Sequence, residues 1–377
     1  MKKLVQYASS WVEIDKEALL SNLMLYKRCA PKAFFAPVIK SNAYGHGISL
    51  IADILDQSPL VDMLCVVALS EALLLRSQNI KKDILVLSII DQDLNQAVLQ
   101  NIDVVLYDLE TARELSATAQ KLGLTARIHI KIDTGLSRLG ILADQAVPII
   151  KQIDALPGIY IRGIFSHLAN SEEEHTFAKK QLEKFLKLIQ DLENSNIVIP
   201  LQHISCSAAL SALSMLPKSM VRLGIGLYGL WPSAENKKST QELYPDFQLK
   251  PVLSWKTRII QIKTIPAGSS VGYGRTHYVS KDTRIAILPV GYWDGYDRRL
   301  SNKVSVSINN QEAPVLGRIA MNLTMVDITD LSVELSDHVI LLGLPEYASA
   351  ENLASLCGTI NYEFVTRINP LLIRTVK

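Results

Sequence analysis

Residues 37–47 read PVIKSNAYGHG, in which an apolar run ends at Lys40 and a turn rich in small residues begins. The apolar part belongs to the segment FFAPVI at residues 34–39, which has the composition of a strand that is covered on both faces. Gly45 and Gly47 are typical of a tight connection. We therefore predict a buried strand that leads to Lys40 and a close turn after it.

Further apolar runs follow the first one, and stretches with helical periodicity lie between them. Eight strands with helical crossovers predict a (β/α)8 barrel of the TIM type, and an open doubly wound sheet is the alternative. The runs are FFAPVI (34–39), MLCVVA (63–68), ILVLS (84–88), DVVLY (103–107), RIHIKI (127–132), YIRGIF (160–165), QHISCS (202–207) and VRLGIGLYG (221–229).

The pattern changes near residue 240. Residues 232–246, PSAENKKSTQELYPD, are polar and are typical of a linker or a long loop. Beyond them, strand-like runs alternate apolar and polar residues, as in a mostly β domain. We predict the α/β barrel domain over residues 1–240 and a β-strand-rich C-terminal domain over residues 241–377.

The composition narrows the class of protein. The 377 residues are 48% hydrophobic and 20% charged, which is typical of a globular protein with a large core. The formal net charge of +2 argues against nucleic acid or an anionic membrane as the main partner. No apolar stretch approaches the roughly 20 residues of a membrane helix, and the start MKKLVQYASSWVEID lacks the apolar region of a signal peptide. We expect a cytoplasmic protein with reduced cysteines.

Polar residues follow several predicted strands at their C-terminal ends, where barrel enzymes carry their catalytic groups. A desolvated Lys40 would be nucleophilic enough for Schiff-base chemistry, whereas a solvated lysine at a strand exit is the plain alternative. Ser207 begins a predicted helix, where it is either a simple N-cap or holds a phosphate together with main-chain donors of Gly224 and Ile225. In a closed barrel, one mouth would carry Lys40, Asp133, Arg138, His167, Ser207, Arg222 and Gly224.

The common nucleotide and metal motifs are absent from the sequence. There is no G-x-x-x-x-G-K-[ST], no G-x-G-x-x-G in the first βα turn and no H-E-x-x-H. A nucleotide ligand and a metal site are therefore not predicted. In the second domain, SSVGYGRTHY at residues 269–278 places Tyr273 between two glycines. This pattern predicts a phenol at an exposed turn, or a structural tyrosine of a hairpin.

Nine segments occur in the order of the signature segments of bacterial alanine racemases, and they extend from Trp11 to about Arg374. The chain therefore resembles this family, whose members have a fold-type III architecture, carry pyridoxal 5′-phosphate and act as head-to-tail homodimers with shared active sites. The resemblance implies an isomerase that interconverts L-alanine and D-alanine and supplies D-alanine biosynthesis for the peptidoglycan of the cell wall. The segments are VIKSNAYGHG, IKIDTGLSRLGI, FSHLAN, HISCSAAL, VRLGIGLYG, VGYGRT, PVGYWDG, GRIAMN and TINYE.

The resemblance also implies roles for single residues. Lys40 matches the lysine that forms the internal aldimine, and Tyr273 matches the tyrosine that acts as the opposite base from the partner subunit. Arg222 matches the arginine that faces the pyridine nitrogen, and His167 matches the histidine beside the catalytic tyrosine. The implied cofactor-binding positions are Lys40, Tyr44, His203, Ser207, Arg222, Gly224, Ile225 and Tyr362, the substrate-binding positions are Arg138, Met321 and Tyr292, and Lys131 is a position that is often carbamylated.

Two-base chemistry sets requirements on these residues. A phenol has a pKa near 10 and an amine one of about 10.4, so both need burial or cationic neighbours to act near neutral pH. Arg138, or His167 in its protonated form, would lower the pKa of the tyrosine. Asn322 departs from the aspartate that is usual in the family, so a serine or broad-specificity racemase is the alternative. A pyridoxal phosphate carrier is the non-enzyme alternative, although such single-barrel proteins lack a β domain.

Overall fold

The computed structural model describes residues 8–173, 175–212 and 219–377. These residues belong to two compact units. The first unit contains the described residues up to Leu19, together with Asn42–Leu50 and Lys250–Lys377, and the second contains Leu20–Ser41 and Ile51–Leu249. The sequence suggested one domain over residues 1–240 and another over residues 241–377, and this division stays a prediction.

Strands are numbered here in chain order. They are β1 Ser10–Ile14, β2 Phe34–Pro37, β3 Met63–Ala68, β4 Asp83–Ile89, β5 Asp103–Leu106, β6 Ala126–Asp133, β7 Ile141–Leu142, β8 Ile159–Phe165, β9 Leu201–His203, β10 Met220–Leu223, β11 Leu253–Arg258, β12 Gln261–Ile265, β13 Thr283–Leu288, β14 Ser305–Ile308, β15 Gln311–Pro314, β16 Thr324–Asp327, β17 His338–Leu342 and β18 Ile373–Val376.

Helices connect many of these strands. The α-helices are Lys16–Cys29, Ile48–Asp56, Leu69–Ser77, Leu94–Leu99, Leu109–Leu122, Ala146–Asp154, His175–Glu193, Ser207–Ala212, Ala234–Leu243, Ala350–Leu356 and Asn361–Thr366. Short 3-10 turns are Ala143–Gln145, Ile225–Tyr228, Tyr273–Arg275, Tyr292–Asp294, Arg298–Leu300 and Glu346–Ala348. Within the described ranges, no helix is both long and apolar enough to pass through a membrane.

The second unit contains a closed barrel of eight parallel strands. β3, β4, β5, β6, β8 and β9 pair in that order, and β10 pairs with β2. Two single parallel bridges complete the ring, one between Val38 and Cys65 and the other between Ser205 and Val221. The predicted (β/α)8 barrel is confirmed. The alternative of an open sheet is wrong, because these bridges pair the strands that would otherwise be its edges.

The polar segment after the barrel is not the loop that its composition suggests. Residues 234–243 form a helix, and the hydroxyl of Ser233 caps it by accepting a hydrogen bond from the Asn236 main-chain N–H at 2.9 Å. Asn236 and Thr240 are buried on one side of this helix. A polar helix with a serine cap and short buried side chains has the same composition as a loop, which explains the wrong prediction.

The first unit is rich in strands, as predicted for the C-terminal part. One sheet has the order β15-β14-β17-β11-β1-β18, and a second has the order β12-β13-β16. The sequence patterns did not predict β1, which pairs antiparallel with β11 and parallel with β18. Its Ser10 hydroxyl accepts a 2.7 Å hydrogen bond from the buried indole N–H of Trp255 on β11. The N-terminal strand thus completes the core of this unit.

Candidate active site

Lys40 opens a short helical turn of unusual hand. The turn spans Lys40–Tyr44, and Ser41, Asn42, Ala43 and Tyr44 have φ angles between 52° and 55°. Left-handed backbone costs L-residues roughly 1–2 kcal/mol each, so four such residues cost about 4–8 kcal/mol. Strain of this size persists only where the surroundings hold it, and it is concentrated at functional sites.

The end of this turn is fastened within the first unit. The main-chain N–H of Gly47 donates to the Asn42 carbonyl at 2.9 Å, and Arg374 Nε donates to the Gly45 carbonyl at 2.9 Å. A Cβ atom on Gly45 would lie 2.0 Å from the Val365 carbonyl oxygen, so only glycine fits at this positive-φ position. The glycines of the opening motif therefore allow the close approach of β18 and the last helix.

Burial lowers the pKa of the Lys40 amine below its ordinary value, and the positive charge of Arg138 lowers it further. The carboxylate of Glu71 opposes this effect. Glu71 also accepts hydrogen bonds from the main-chain N–H groups of Ser41 at 2.7 Å and Val67 at 2.8 Å. This carboxylate, which the sequence motifs do not single out, fixes the residue that follows the lysine.

Main-chain donors converge near Ser207, which begins a helix after β9. Its hydroxyl accepts hydrogen bonds from the N–H groups of Gly224 at 3.0 Å and Gly226 at 3.3 Å. Gly224 precedes the 3-10 turn Ile225–Tyr228, so the starts of two helical segments lie together. Backbone N–H groups arranged in this way are typical of phosphate binding. The structure thus brings three of the predicted cofactor residues together: Ser207, Gly224 and Ile225.

Arg222 is held rigidly inside the barrel. Its NH1 group donates to His203 Nδ1 at 2.6 Å and to the His203 carbonyl at 3.0 Å, while NH2 donates to the Ser166 carbonyl at 2.7 Å. The guanidinium lies 5.1 Å from the centre of the Phe165 ring, which stacks on His203 at 4.7 Å. Burial lowers the pKa of Arg222, but a guanidinium keeps its proton at neutral pH.

Lys131 and His167 lie in a strongly cationic part of the same unit. Burial, followed by the charges of Arg222, Arg138 and Lys40, lowers the pKa of Lys131 to about 7. Burial and the same kind of neighbours lower the pKa of His167 well below its ordinary value. A neutral His167 cannot act as the cation that was expected to lower the pKa of a tyrosine. Arg138 is exposed in the loop after β6.

Asp133, the other polar residue at the end of β6, has a local role. Its Oδ1 atom accepts from the N–H groups of Gly135 at 2.8 Å and Ser137 at 3.1 Å. Burial alone raises the pKa of Asp133, but these main-chain hydrogen bonds outweigh burial and lower it. The carboxylate shapes the loop that carries Arg138.

The first unit carries the remaining predicted residues. Tyr273 is 72% exposed between two glycines that both have φ of 71°, so it stands at the tip of a tight turn. Tyr292 and Met321 are also exposed, on two loops joined by a hydrogen bond from the Tyr292 N–H to the Ala320 carbonyl at 3.1 Å. The rings of Tyr44 and Tyr362 contact each other with their centres 6.3 Å apart.

Comparison with known proteins decides the family. The family "Alanine racemase, N-terminal domain" matches residues 14–232, and "Alanine racemase, C-terminal domain" matches residues 252–376. The chain belongs to the alanine racemase family.

Individual members of the family match over nearly the whole chain. The chain is 38% identical to the alanine racemase of Clostridium novyi over 367 residues, which are 95% of this chain and 93% of that protein. Among solved structures, alanine racemase from Clostridium difficile 630 superposes with a TM-score of 0.93 at 32% identity, covering 98% of this chain and 96% of that one. Alanine racemase from Bacillus anthracis with bound L-Ala-P has a TM-score of 0.87 at 30% identity, covering 98% and 95%.

Alanine racemases are isomerases that depend on pyridoxal 5′-phosphate, so this chain has the same cofactor. The groups that the chain presents fit that molecule chemically. Lys40 offers an amine with a lowered pKa for the aldehyde, the amides near Ser207 suit a phosphate, and the buried guanidinium of Arg222 suits a ring nitrogen. Each of these groups lies at the C-terminal end of a barrel strand, where the family carries its chemistry.

Some residues that hold the predicted site residues in place were not identified from the sequence. Glu71, Phe165 and Arg374 contribute through contacts between segments that are far apart in the chain. No spacing rule connects them to the motifs. The strained turn is indicated by the sequence, because two glycines and an asparagine, residues that adopt positive φ angles readily, follow Lys40 within seven residues.

Proposed function

We propose that this protein interconverts L-alanine and D-alanine by proton transfer between two bases, Lys40 and Tyr273. Racemisation removes the α-proton from one face of the substrate and returns a proton to the other face, so the bases must lie on opposite sides. Pyridoxal 5′-phosphate supplies the electron withdrawal that acidifies the α-carbon. The observation that carries the proposal is the partly buried Lys40 amine with a lowered pKa, at the start of a strained turn that follows barrel strand β2.

The cofactor is held at three points in this proposal. Lys40 would anchor it covalently, and its phosphate would be held by Ser207, Gly224, Ile225, Tyr44 and Tyr362. Arg222 would face the ring nitrogen, and because a guanidinium can only donate hydrogen bonds, that nitrogen would carry no proton of its own. His203 supports Arg222 through the 2.6 Å hydrogen bond from its guanidinium.

Substrate contacts are assigned to three further residues. Arg138 and the main chain of Met321 hold the substrate carboxylate, and Tyr292 lies at the entrance. Lys131 is carbamylated in the presence of bicarbonate: its neutral amine attacks carbon dioxide, a nitrogen–carbon bond forms, and the nitrogen loses a proton to solvent. The pKa of about 7 makes the required neutral amine available near physiological pH. The resulting negative charge would orient Arg138, while His167 serves the tyrosine as a neutral hydrogen-bonding group.

Tyr273 acts on the substrate of a neighbouring copy, so the working form is a head-to-tail homodimer with shared active sites. Tyr273 is exposed, and so are the large apolar side chains of Trp293, Met321 and Leu323 of the same unit. Exposed aromatic and apolar side chains of this kind are typical of surfaces that become buried on association. We propose that the protein is located in the cytoplasm. We also propose that it supplies D-alanine for peptidoglycan.

Solvent deuterium uptake at Cα of alanine, serine and lysine tests the proposal with purified protein and added cofactor. Both enantiomers of alanine are expected to exchange the α-proton with solvent deuterium and to racemise, whereas Lys40→Ala removes both activities. Lys32→Ala, at an exposed lysine of the turn before β2, is the matched control. Faster exchange of serine or lysine than of alanine would favour the broad-specificity alternative that Asn322 raises. Cofactor binding without any exchange would favour a carrier.

A further inference from the structure

We propose that Asp103 and His129 are positioning residues that act through His203 to hold Arg222 in place. This proposal deepens the proposed function, in which Arg222 faces the cofactor ring. It concerns the interior of the barrel, where the sequence assigned roles to Arg222 and His203 but none to Asp103 or His129.

Four buried side chains form one continuous series of hydrogen bonds across the barrel. Arg222 NH1 lies 2.6 Å from His203 Nδ1, His203 Nε2 lies 2.8 Å from His129 Nδ1, and His129 Nε2 lies 3.3 Å from Asp103 Oδ2. His203, His129 and Asp103 have no exposed surface, and Arg222 is 5% exposed. The four residues come from β10, β9, β6 and β5.

The two ends of this series fix the position of every proton within it. A guanidinium can only donate, so His203 Nδ1 must be an acceptor and a neutral His203 carries its proton on Nε2. That proton is donated to His129 Nδ1, so His129 in turn carries its own proton on Nε2 and donates it to Asp103. The carboxylate of Asp103, at the other end of the series, can only accept a hydrogen bond, which agrees with a proton on His129 Nε2.

Two arginines keep the carboxylate of Asp103 ionised. Arg127 Nε lies 2.5 Å from Asp103 Oδ1, and Arg162 NH1 lies 3.0 Å from Oδ2. Burial by itself raises the pKa of Asp103, but the hydrogen bond from His129 and the charges of the two arginines lower it below the ordinary value. The same arginines also pair with Asp83, at 3.1 Å and 2.6 Å.

Both histidines are neutral in this environment. Burial lowers the pKa of His129, although Asp103 opposes the effect, and the charges of Arg162 and Arg222 act in the same direction as burial. Burial lowers the pKa of His203 well below its ordinary value, with Arg222, His129 and Lys131 adding to the effect. A neutral imidazole has one proton to place, so its tautomer is decided by its hydrogen-bond partners.

The barrel makes room for this polar series. A Cβ atom on Gly163 of β8 would lie 2.2 Å from His129 Nδ1, so a glycine is required beside the imidazole. Phe165 of the same strand stacks on His203 with the two rings 7° apart. Barrel interiors are ordinarily filled by branched apolar side chains, and a buried polar series is tolerated only when each member is satisfied.

The consequence for Arg222 follows from the order of protons. If His129 lost its acceptor at Asp103, its proton could move to Nδ1 and face the N–H of His203. The proton of His203 would then move to Nδ1 and face the N–H of Arg222, where two donors repel each other. The guanidinium would shift away from the orientation that its bonds to the carbonyls of His203 and Ser166 define.

Nitrogen NMR of the holoenzyme, labelled with 15N only in histidine, tests the proton order directly. His203 and His129 are both expected to show a protonated Nε2 and a bare Nδ1 from about pH 6 to pH 9. A protonated Nδ1 or a cationic ring on either residue would overturn the proposal. This measurement does not depend on catalytic turnover. A protein that shows the expected protonation of both histidines but does not racemise alanine would contradict the proposed function and still support the proposed order of protons.

Asp103→Asn tests the effect on Arg222. Asp83→Asn is the matched control, because Asp83 pairs with the same two arginines and has no hydrogen bond to His129 in the described part of the chain. Asp103→Asn is expected to change the His203 tautomer signal, to shift the pH profile of the absorption of the bound cofactor, and to lower kcat about tenfold. Asp83→Asn is expected to leave the tautomer signal and the pH profile unchanged and kcat within about twofold of the parent. Equal effects of the two variants would show a structural role only and would overturn the proposal.

Discussion

Arg374 of β18 donates a hydrogen bond from Nε to the carbonyl oxygen of Gly45 at 2.9 Å, and so fastens the residues at the end of the left-handed turn. The same guanidinium donates to the carbonyls of Asn369 at 3.2 Å and Leu372 at 2.9 Å. One side chain thus ties the end of the turn to residues 369–372 of the first unit. Fastening of this kind offsets the conformational cost of the four positive-φ residues that follow Lys40.

Gly45→Ala is expected to destabilise the protein strongly, because the new Cβ would lie 2.0 Å from the Val365 carbonyl oxygen. Gly268→Ala is the matched control, since Gly268 has φ of 81° against 82° for Gly45, and a methyl group added at Gly268 would meet no atom within 4 Å. The control is expected to cost about 1–2 kcal/mol, from backbone conformation alone. Gly45→Ala is expected to cost at least about 2 kcal/mol more, from the clash. Urea unfolding of both holoenzymes measures the difference, and equal losses would contradict the close approach.

Tyr273→Phe is expected to slow racemisation strongly while the protein keeps its cofactor and its stability. The side chain is 72% exposed, so the free energy of unfolding is expected to change by less than about 0.5 kcal/mol. Loss of a catalytic base lowers kcat by roughly 10²–10⁴-fold. Tyr278→Phe, which removes a hydroxyl from an exposed tyrosine of the same loop, is the control and is expected to stay active. Racemisation of both alanine enantiomers and the cofactor absorption are measured; full activity of Tyr273→Phe would exclude it as a base.

Ser207→Ala is expected to weaken cofactor binding, because the hydroxyl that orders the N–H groups of Gly224 and Gly226 is lost. A lost hydrogen bond at a buried site costs about 1–3 kcal/mol, which corresponds to a roughly 5- to 150-fold rise in Kd. Ser205→Ala is a control two residues earlier, since the Ser205 hydroxyl is buried without a hydrogen-bond partner in the described part of the chain. Fluorescence titration with pyridoxal 5′-phosphate measures Kd. Equal affinities of the two variants would exclude Ser207 from the phosphate site.

The barrel was predictable because its signals are local. Apolar runs such as MLCVVA at 63–68 coincide with β3, and strand ends carried the polar residues that the structure places around Lys40 and Arg222. The polar helix 234–243 was missed because its buried positions hold asparagine and threonine, which do not form an apolar stripe.

The interior series from Asp103 to Arg222 could not be predicted from the sequence. Its members lie on four strands that become neighbours only when the barrel closes. His129 occupies an alternating position in RIHIKI, where a histidine is compatible with either a surface or a core strand. The charge state of His167 could not be predicted either, because burial, which lowers its pKa, is a property of the folded chain.

Lys131 is expected to make stability depend on pH. Its pKa of about 7 in the folded protein lies below the value near 10.4 of an unfolded lysine. Between these values the unfolded chain binds a proton that the folded chain does not, so the free energy of unfolding rises with pH, by at most about 1.4 kcal/mol per unit. Below about pH 7 both states are protonated at this residue, and its burial penalty is then fully present.

Lys131→Met removes this titration, so the stability difference between the parent and the variant is expected to move in favour of the parent from pH 7 to pH 9. Urea unfolding in bicarbonate-free buffer, at fixed protein concentration and saturating cofactor, measures the difference, because a carbamate would otherwise replace the amine. Lys151→Met, at an exposed lysine of helix Ala146–Asp154, controls for the loss of one positive charge. A parent-to-variant difference that is independent of pH would show that Lys131 keeps its proton in the folded protein, and would remove the neutral amine on which carbamylation depends.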